Sequence, residues 1–133
     1  MTAQHRLRAF TVVPKYKNHK ANCDGRLFDS TLERNVYLKM KELKLEVELQ
    51  PRYELQAGFK LNGKSIRKIE YIPDFNLKLN GTLYTLDAKG IETDVSKIKR
   101  KIFAFQNHRE IVILKSVKAF AEWYGKTKKE ERK

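Results

Sequence analysis

Asp74 and Asp87 have the residue types and the spacing with which this chain could do chemistry. Asn80-Gly81 lies between them, and Asn-Gly flanked by alternating apolar residues is the strongest local signal for a two-residue hairpin turn. Counting outward from that turn pairs Leu79 with Thr82, Leu77 with Tyr84, Phe75 with Leu86, and Asp74 with Asp87. Residues directly opposed on antiparallel strands hold their Cβ atoms about 4.5–5.5 Å apart. Two carboxylates so placed repel each other unless positive charge lies between them. Lys89, two residues beyond Asp87, emerges on the same face because strand side chains alternate. Two acids and a lysine on one patch of sheet are the makings of a divalent-cation site with an amine beside it. Acids and lysines also alternate on ordinary solvated sheet faces, and that plainer reading stands beside the first. Phe75, Leu77, Tyr84 and Leu86 fall on the opposite face, where burial would hold the register.

These side chains need elements to position them. Ser30-Thr31-Leu32-Glu33 fits a capping box at a helix start. Leu32, Val36, Met40, Leu43 and Val47 then recur as one helical apolar face, with Gln50-Pro51 as the stop. Glu33 either bonds back to the helix start or leans from the first turn toward the two aspartates. Strands are expected over 52–61, 64–72, 74–79 and 82–89, with turns at Asn62-Gly63 and Asn80-Gly81. They read as a three-stranded antiparallel meander whose middle strand bends at Pro73. Val95, Ile98, Ile102 and Phe105 mark the apolar face of a second helix. Ile111-Val112-Ile113-Leu114 is a short buried strand within 110–115, and 117–124 a closing helix in which Trp123 belongs to the core. The strand–helix–strand step makes the last strand parallel to the one carrying Asp87. The fold class is therefore α/β (α+β), a mixed sheet flanked by helices.

The 133 residues are enough for one domain with a hydrophobic core. Its expected limits are 29–125, between a basic N-terminal arm over 1–28 and a basic tail over 126–133. No run approaches the roughly 20 apolar residues of a membrane span, and Met1-Thr2-Ala3-Gln4-His5-Arg6 lacks the apolar stretch of a signal peptide, so an intracellular protein is expected. A single cysteine, Cys23, excludes an internal disulfide; with His19 it is a weak metal pair or an ordinary loop residue. His5, His19 and His108 show no ligand spacing. The net charge of +13 and pI near 9.9 select a polyanionic partner, above all nucleic acid. Lys15 and Lys17 lie in an arm that is either a solvated tail or a strap along phosphates. Lys97, Lys99, Arg100, Lys101 and Arg109 follow one another with no acid between them. They form either a solvated face or a contact with phosphates flanking the aspartates. Gln50 is a further candidate contact, as are Tyr53, Arg67 and Lys68.

Pro73-Asp74 followed by Asp87-x-Lys89, after a helix carrying Glu33, resembles the PD-(D/E)XK nuclease superfamily. The expected element order is similar to that superfamily's restriction-endonuclease-like αβββαβ core. Phe28-Asp29-Ser30-Thr31-Leu32-Glu33, Leu49-Gln50-Pro51-Arg52-Tyr53-Glu54-Leu55 and Asp87-Ala88-Lys89-Gly90 resemble segments of small phage and prophage endonuclease-like proteins. The likeness runs from about residue 15 to residue 115. It implies catalytic roles for Asp74, Asp87, Lys89 and Glu33. Asp74, Asp87, Glu33 and the Ala88 carbonyl would be metal ligands, and Lys89 would position or activate the attacking water. Phosphodiester hydrolysis needs a nucleophilic water at neutral pH and a stabilised leaving oxygen, which hard cations on carboxylates supply. Oxygen ligands point to Mg²⁺, with Mn²⁺ substituting. The implied activity is endonucleolytic cleavage of DNA, duplex or branched, in a bacterial cytoplasm if phage-encoded. Holliday-junction cleavage would need a homodimer presenting two sites, for which Phe10-Thr11-Val12-Val13 is the only apolar hint. A non-catalytic nucleic-acid-binding protein of the same fold, or an RNA-associated structural protein, would share the charge.

Overall fold

Asn62, Gly63, Asn80 and Gly81 all have positive φ, at 50°, 76°, 51° and 87°. Both Asn-Gly pairs thus adopt the left-handed backbone that a tight hairpin turn with right-twisted strands demands. A computed structural model describes residues 21–23, 26–28 and 30–131. A small hairpin, β1 (Ala21–Cys23) and β2 (Arg26–Phe28), leads into helix α1 (Thr31–Glu42). Strand β3 (Glu46–Leu49) follows, and then a long excursion through β4 (Tyr53–Gln56), β5 (Phe59–Leu61), β6 (Lys64–Ile66) and β7 (Ile69–Tyr71). Strands β8 (Phe75–Leu79) and β9 (Thr82–Ala88), helix α2 (Asp94–Asn107), strand β10 (Ile111–Leu114) and helix α3 (Val117–Glu131) complete the described chain.

The fold is α+β. Its central sheet has four strands in the order β10-β9-β8-β3. β3 and β9 run antiparallel to β8, and β10 runs parallel to β9. The sheet is therefore mixed, as expected. With the β4–β7 excursion set aside, the order is helix, three strands, helix, strand.

Alternation along the strands divides the sheet into two faces. Phe75, Leu77, Leu86 and Leu114 join Val36 and Met40 of α1 and Phe120 of α3 in the main core. Fully burying each such large side chain contributes roughly 1.5–3 kcal/mol. Trp123 packs beside this core, with its ring 5.2 Å from that of Tyr84. On the other face Ile111 meets Leu55 of β4, Tyr71 of β7 and Phe103 of α2 in a second, smaller core. Asn76, Thr85 and Asp87 belong to this second face.

Several expectations are corrected. The first helix stops at Glu42, with Leu43 as its C-cap, and Lys44 turns the chain with a φ of 58°. Val47 therefore lies on a strand, and the spacing that placed it on the helix was a coincidence of phase; Glu46-Val47-Glu48-Leu49 alternates in burial as a half-buried strand does. That strand, rather than 52–61, is the first of the sheet. The excursion forms two antiparallel ladders of its own, β4 with β7 and β5 with β6. In α2, Val95, Ile98 and Phe105 point outward at 62%, 57% and 82% exposure, whereas Phe103 is fully buried. α2 is rotated so that Phe103, with Ile102 beside it, fills the second core and the rest of the stripe faces outward. Residues 126–131 continue α3 rather than forming a tail. Phe28 is 2% exposed and packs at a tilt against Tyr37, with ring centres 5.0 Å apart, so the fold begins within the expected arm. Lys15, Lys17, His5, His19 and the Phe10 to Val13 patch lie outside the described residues. Among the described residues no helix is long and apolar enough to cross a membrane.

Candidate active site

The register counted from Asn80-Gly81 is the observed one: Leu79 opposes Thr82, Leu77 opposes Tyr84, and Phe75 opposes Leu86. One residue further out, Asp74 meets Asp87. Two main-chain amides pin Asp74. The Gln50 N–H donates to its carbonyl at 2.9 Å, carrying the β3–β8 ladder one step past Leu49 and Phe75. The Ala88 N–H donates to its Oδ2 at 2.7 Å. Gln50, expected at a nucleic-acid surface, thus bonds through its backbone to Asp74.

Asp87 is 3% exposed. Its Oδ2 accepts from the Tyr71 hydroxyl at 2.5 Å and stands 3.4 Å from Lys89 Nζ. Lys89 shares the face of Asp87 as strand alternation requires, and its own N–H donates to Leu114 O at 3.0 Å. The two aspartate side chains lie within hydrogen-bonding reach of each other, and the charge of Glu33 is felt at Asp74. Glu33 is 2% exposed, and its N–H donates to Ser30 Oγ at 3.0 Å. The backbone half of the capping box is therefore present, while the carboxyl group acts on Asp74. Neither role excludes the other.

The electrostatics follow from this crowding. Burial, then the charge of Asp87, then that of Glu33 push the Asp74 carboxyl well above the usual carboxylate range. The hydrogen bond with Asp87 adds to the rise and the Ala88 N–H opposes it. Asp74 as a residue is half-buried, and its carboxyl is the desolvated part. Burial, with the Asp87 charge second, lifts the Tyr71 hydroxyl far above the usual phenol range. Tyr71 therefore favours its protonated form, which donates the hydrogen bond to Asp87. Among the described residues no group of three or more His, Cys, Asp or Glu side chains stands at the spacing of a metal cage. The donor chemistry nonetheless fits a hard cation: Glu33, Asp74 and Asp87 offer only oxygen, and mutual repulsion is the principal charge effect on Asp74.

A polar network extends along the same face. Thr85 Oγ1 donates to Asn76 Oδ1 at 2.7 Å, and Asn76 Nδ2 donates to the Tyr53 hydroxyl at 2.7 Å. Arg109 Nη2 donates to both Tyr53 and Thr85 at 3.1 Å, with its guanidinium 5.1 Å from the Phe103 ring centre. Arg109 was expected to meet phosphate; its geometry makes it a brace between β4, β9 and the end of α2.

A family model described as "Protein of unknown function (DUF1064)" matches residues 13–124. The chain belongs to the DUF1064 family. No curated protein matches it. The DUF1064 match takes in Glu33, Asp74, Asp87, Ala88 and Lys89, and every strand described above.

The basic residues of α2 in this DUF1064 protein divide by exposure. Lys97 and Lys101 are exposed, Lys99 less so. Arg100 is partly covered and ion-paired with Glu92 Oε2, close enough for its charge to act on Tyr71. Tyr71 is the side chain of the candidate site that pattern reading missed. It stands within Tyr71-Ile72-Pro73-Asp74-Phe75, but a tyrosine in a strand reads as core until its hydroxyl has a partner. Asn76 and Thr85 were also unforeseen, whereas Tyr53, expected as a nucleic-acid contact, bonds to Asn76 and Arg109.

Proposed function

We propose that this DUF1064 protein is a metal-dependent endodeoxyribonuclease that hydrolyses DNA phosphodiester bonds within the cell. The observation that carries the reading is Asp74 against Asp87 with Lys89 Nζ at 3.4 Å from Asp87, all on the sheet end that Glu33 approaches. The resemblance of Pro73-Asp74 and Asp87-x-Lys89 to the PD-(D/E)XK pattern supports it. Glu33, Asp74, Asp87 and the Ala88 carbonyl would hold Mg²⁺, with Mn²⁺ substituting. The cation would supply the positive charge that permits water to be deprotonated at neutral pH and that offsets charge on the leaving oxygen.

The protein's own groups do the rest. Tyr71 holds Asp87 in one rotamer through its hydroxyl. The Ala88 N–H and Gln50 N–H hold Asp74. Lys89, kept in register by Leu114, brings positive charge beside the phosphate and orients the attacking water. Lys97, Lys99 and Lys101 on α2 provide phosphate contacts along the flanking strand. On four-way junctions two copies would act together.

Incubation with plasmid, linear duplex and four-way-junction DNA, with and without Mg²⁺, tests the reading. Cleavage by the wild type that needs Mg²⁺ and disappears in Asp74→Asn is the expected result. Equal outcomes for the two proteins overturn it. One observation favours a second reading, a non-catalytic nucleic-acid-binding protein of the same fold. The acids do not stand at metal-cage spacing, and Asp87 is engaged by Tyr71 and Lys89. Tight DNA binding with no cleavage under any divalent cation would select that reading.

A further inference from the structure

All six strand residues of β5 and β6 are exposed, and among the described residues the two strands form a sheet of their own. A two-stranded hairpin left to itself is marginal in water, and this one also shows apolar surface: Phe59, Leu61 and Ile66 are 45%, 57% and 38% exposed. Between residues 57 and 69 there are four basic side chains and no acid. Lys68 pairs with Glu70, whereas Lys60, Lys64 and Arg67 make no ion pair among the described residues. An exposed ribbon that is both apolar and basic is complementary in charge to a polyanion.

Its shape and attachment narrow the choice. Asn62-Gly63 closes the tip with a tight turn, both residues at positive φ. At the root, a Cβ on Gly58 would come within 3.2 Å of Ile66 O and 3.3 Å of Lys68 N. The backbones therefore press together there and brace the ribbon. The β5–β6 hairpin is inserted in the chain between β4 and β7, whose separate ladder pairs Tyr53 with Tyr71, and Tyr71 donates to Asp87. From Tyr71 back to Lys64, through β7, the Arg67-Lys68 break and β6, an extended chain spans at most roughly 23 Å at about 3.3 Å per residue, which is the length of about seven stacked base pairs. A two-stranded ribbon fits the major groove of B-form DNA, about 12 Å wide.

We infer that the β5–β6 ribbon is a duplex-binding arm that lies in the major groove of DNA beside the Asp74–Asp87 site, with Lys60, Lys64 and Arg67 on phosphates. The inference rests on DNA being the polymer acted on in the proposed function, and its test is independent of cleavage. The full chain and a Lys60→Ala, Lys64→Ala, Arg67→Ala triple variant are titrated into a labelled 24-base-pair duplex in EDTA over a range of salt. The variant is expected to bind at least about tenfold more weakly at moderate salt. The slope of log affinity against log salt should fall in magnitude by about 2–3, since each lost phosphate contact removes about 0.9. Its thermal melt should match the wild type, because the substituted side chains are exposed. Duplex carrying bulky glucosylated cytosines, which fill the major groove, should weaken the wild type and leave the variant little changed.

Binding within twofold of the wild type would overturn the arm. So would wild-type binding to duplex RNA as tight as to DNA, since the major groove of A-form RNA is too narrow to admit it. A wild-type dimer that the three substitutions dissociate would overturn it too, assigning the ribbon to a second copy instead. Absence of Mg²⁺-dependent cleavage with these binding changes intact would reject the nuclease reading and leave the arm standing.

Discussion

The Tyr71 hydroxyl donates to Asp87 Oδ2 at 2.5 Å, and through that bond the last residue of β7 touches the central residue of the acidic site. β7 belongs to the long excursion and Asp87 to the main sheet. The hydrogen bond is therefore a joint between two sheets that share no ladder. Tyr71→Phe keeps the ring volume and removes only the hydroxyl. It is expected to lower stability by roughly 1–2 kcal/mol, as loss of a buried hydrogen bond to a charged acceptor does. The cleavage rate should fall about tenfold with little change in the KM for DNA, since Asp87 is loosened while the binding surface is untouched. Urea titration and steady-state kinetics check both.

Asp74→Asn should raise the melting temperature while abolishing cleavage. The Asp74 carboxyl is held well above its ordinary range, chiefly by burial, so its ionised form costs stability in the fold. Below the unfolded-state value near 3.8 both states are protonated and the substitution changes little. As pH rises from there through the folded-state value the wild type loses stability, and asparagine does not. The expected gain is a few degrees at pH 7 and near zero at pH 3.5. Melts across that range check it; an equal gain at both ends would contradict the cause assigned.

Mg²⁺ should reverse that order. A cation at ten times its dissociation constant stabilises the state that binds it by about 1.4 kcal/mol. The wild type is expected to gain a few degrees in Mg²⁺, and Asp74→Asn and Asp87→Asn to gain none. Differential scanning fluorimetry with and without Mg²⁺ measures this directly.

Arg109 and the lysines of α2 should separate cleanly. Arg109→Ala removes a donor to Thr85 and Tyr53 and is expected to cost about 1–3 kcal/mol of stability. Its effect on DNA affinity should stay below twofold. Lys97→Ala with Lys101→Ala should leave the melt unchanged and reduce the salt slope of DNA binding by about 1.8.

Local chemistry made the site legible. Asn80-Gly81 permits few backbone geometries, and once its turn is set, counting alone carries Asp74 to Asp87. Misreadings arose where two periods coincide or where burial depends on distant residues. Leu43 and Val47 continue the helical spacing of α1, while Glu46 to Leu49 also alternate as a strand; the left-handed turn at Lys44 decides between them. Of the stripe Val95, Ile98, Ile102, Phe105 only Ile102 packs against the second core, while the other three face outward, because α2 turns Phe103 toward Leu55, Tyr71 and Ile111. Helix existence was therefore readable, and helix rotation was not. Tyr71 and Arg109 took roles visible only after the excursion folded back on the sheet.

Lys89 owes its position to Leu114, which accepts its N–H from the parallel neighbour β10. Parallel strands are joined only after an intervening crossover has been made, here α2. A growing polypeptide that has released Asp74, Asp87 and Lys89 from the ribosome still lacks β10, and its β9 has a bare edge. The lysine then has no register, and the acids have no settled amine beside them. The setting of Lys89 therefore waits on β10, the last strand of the sheet to be synthesised.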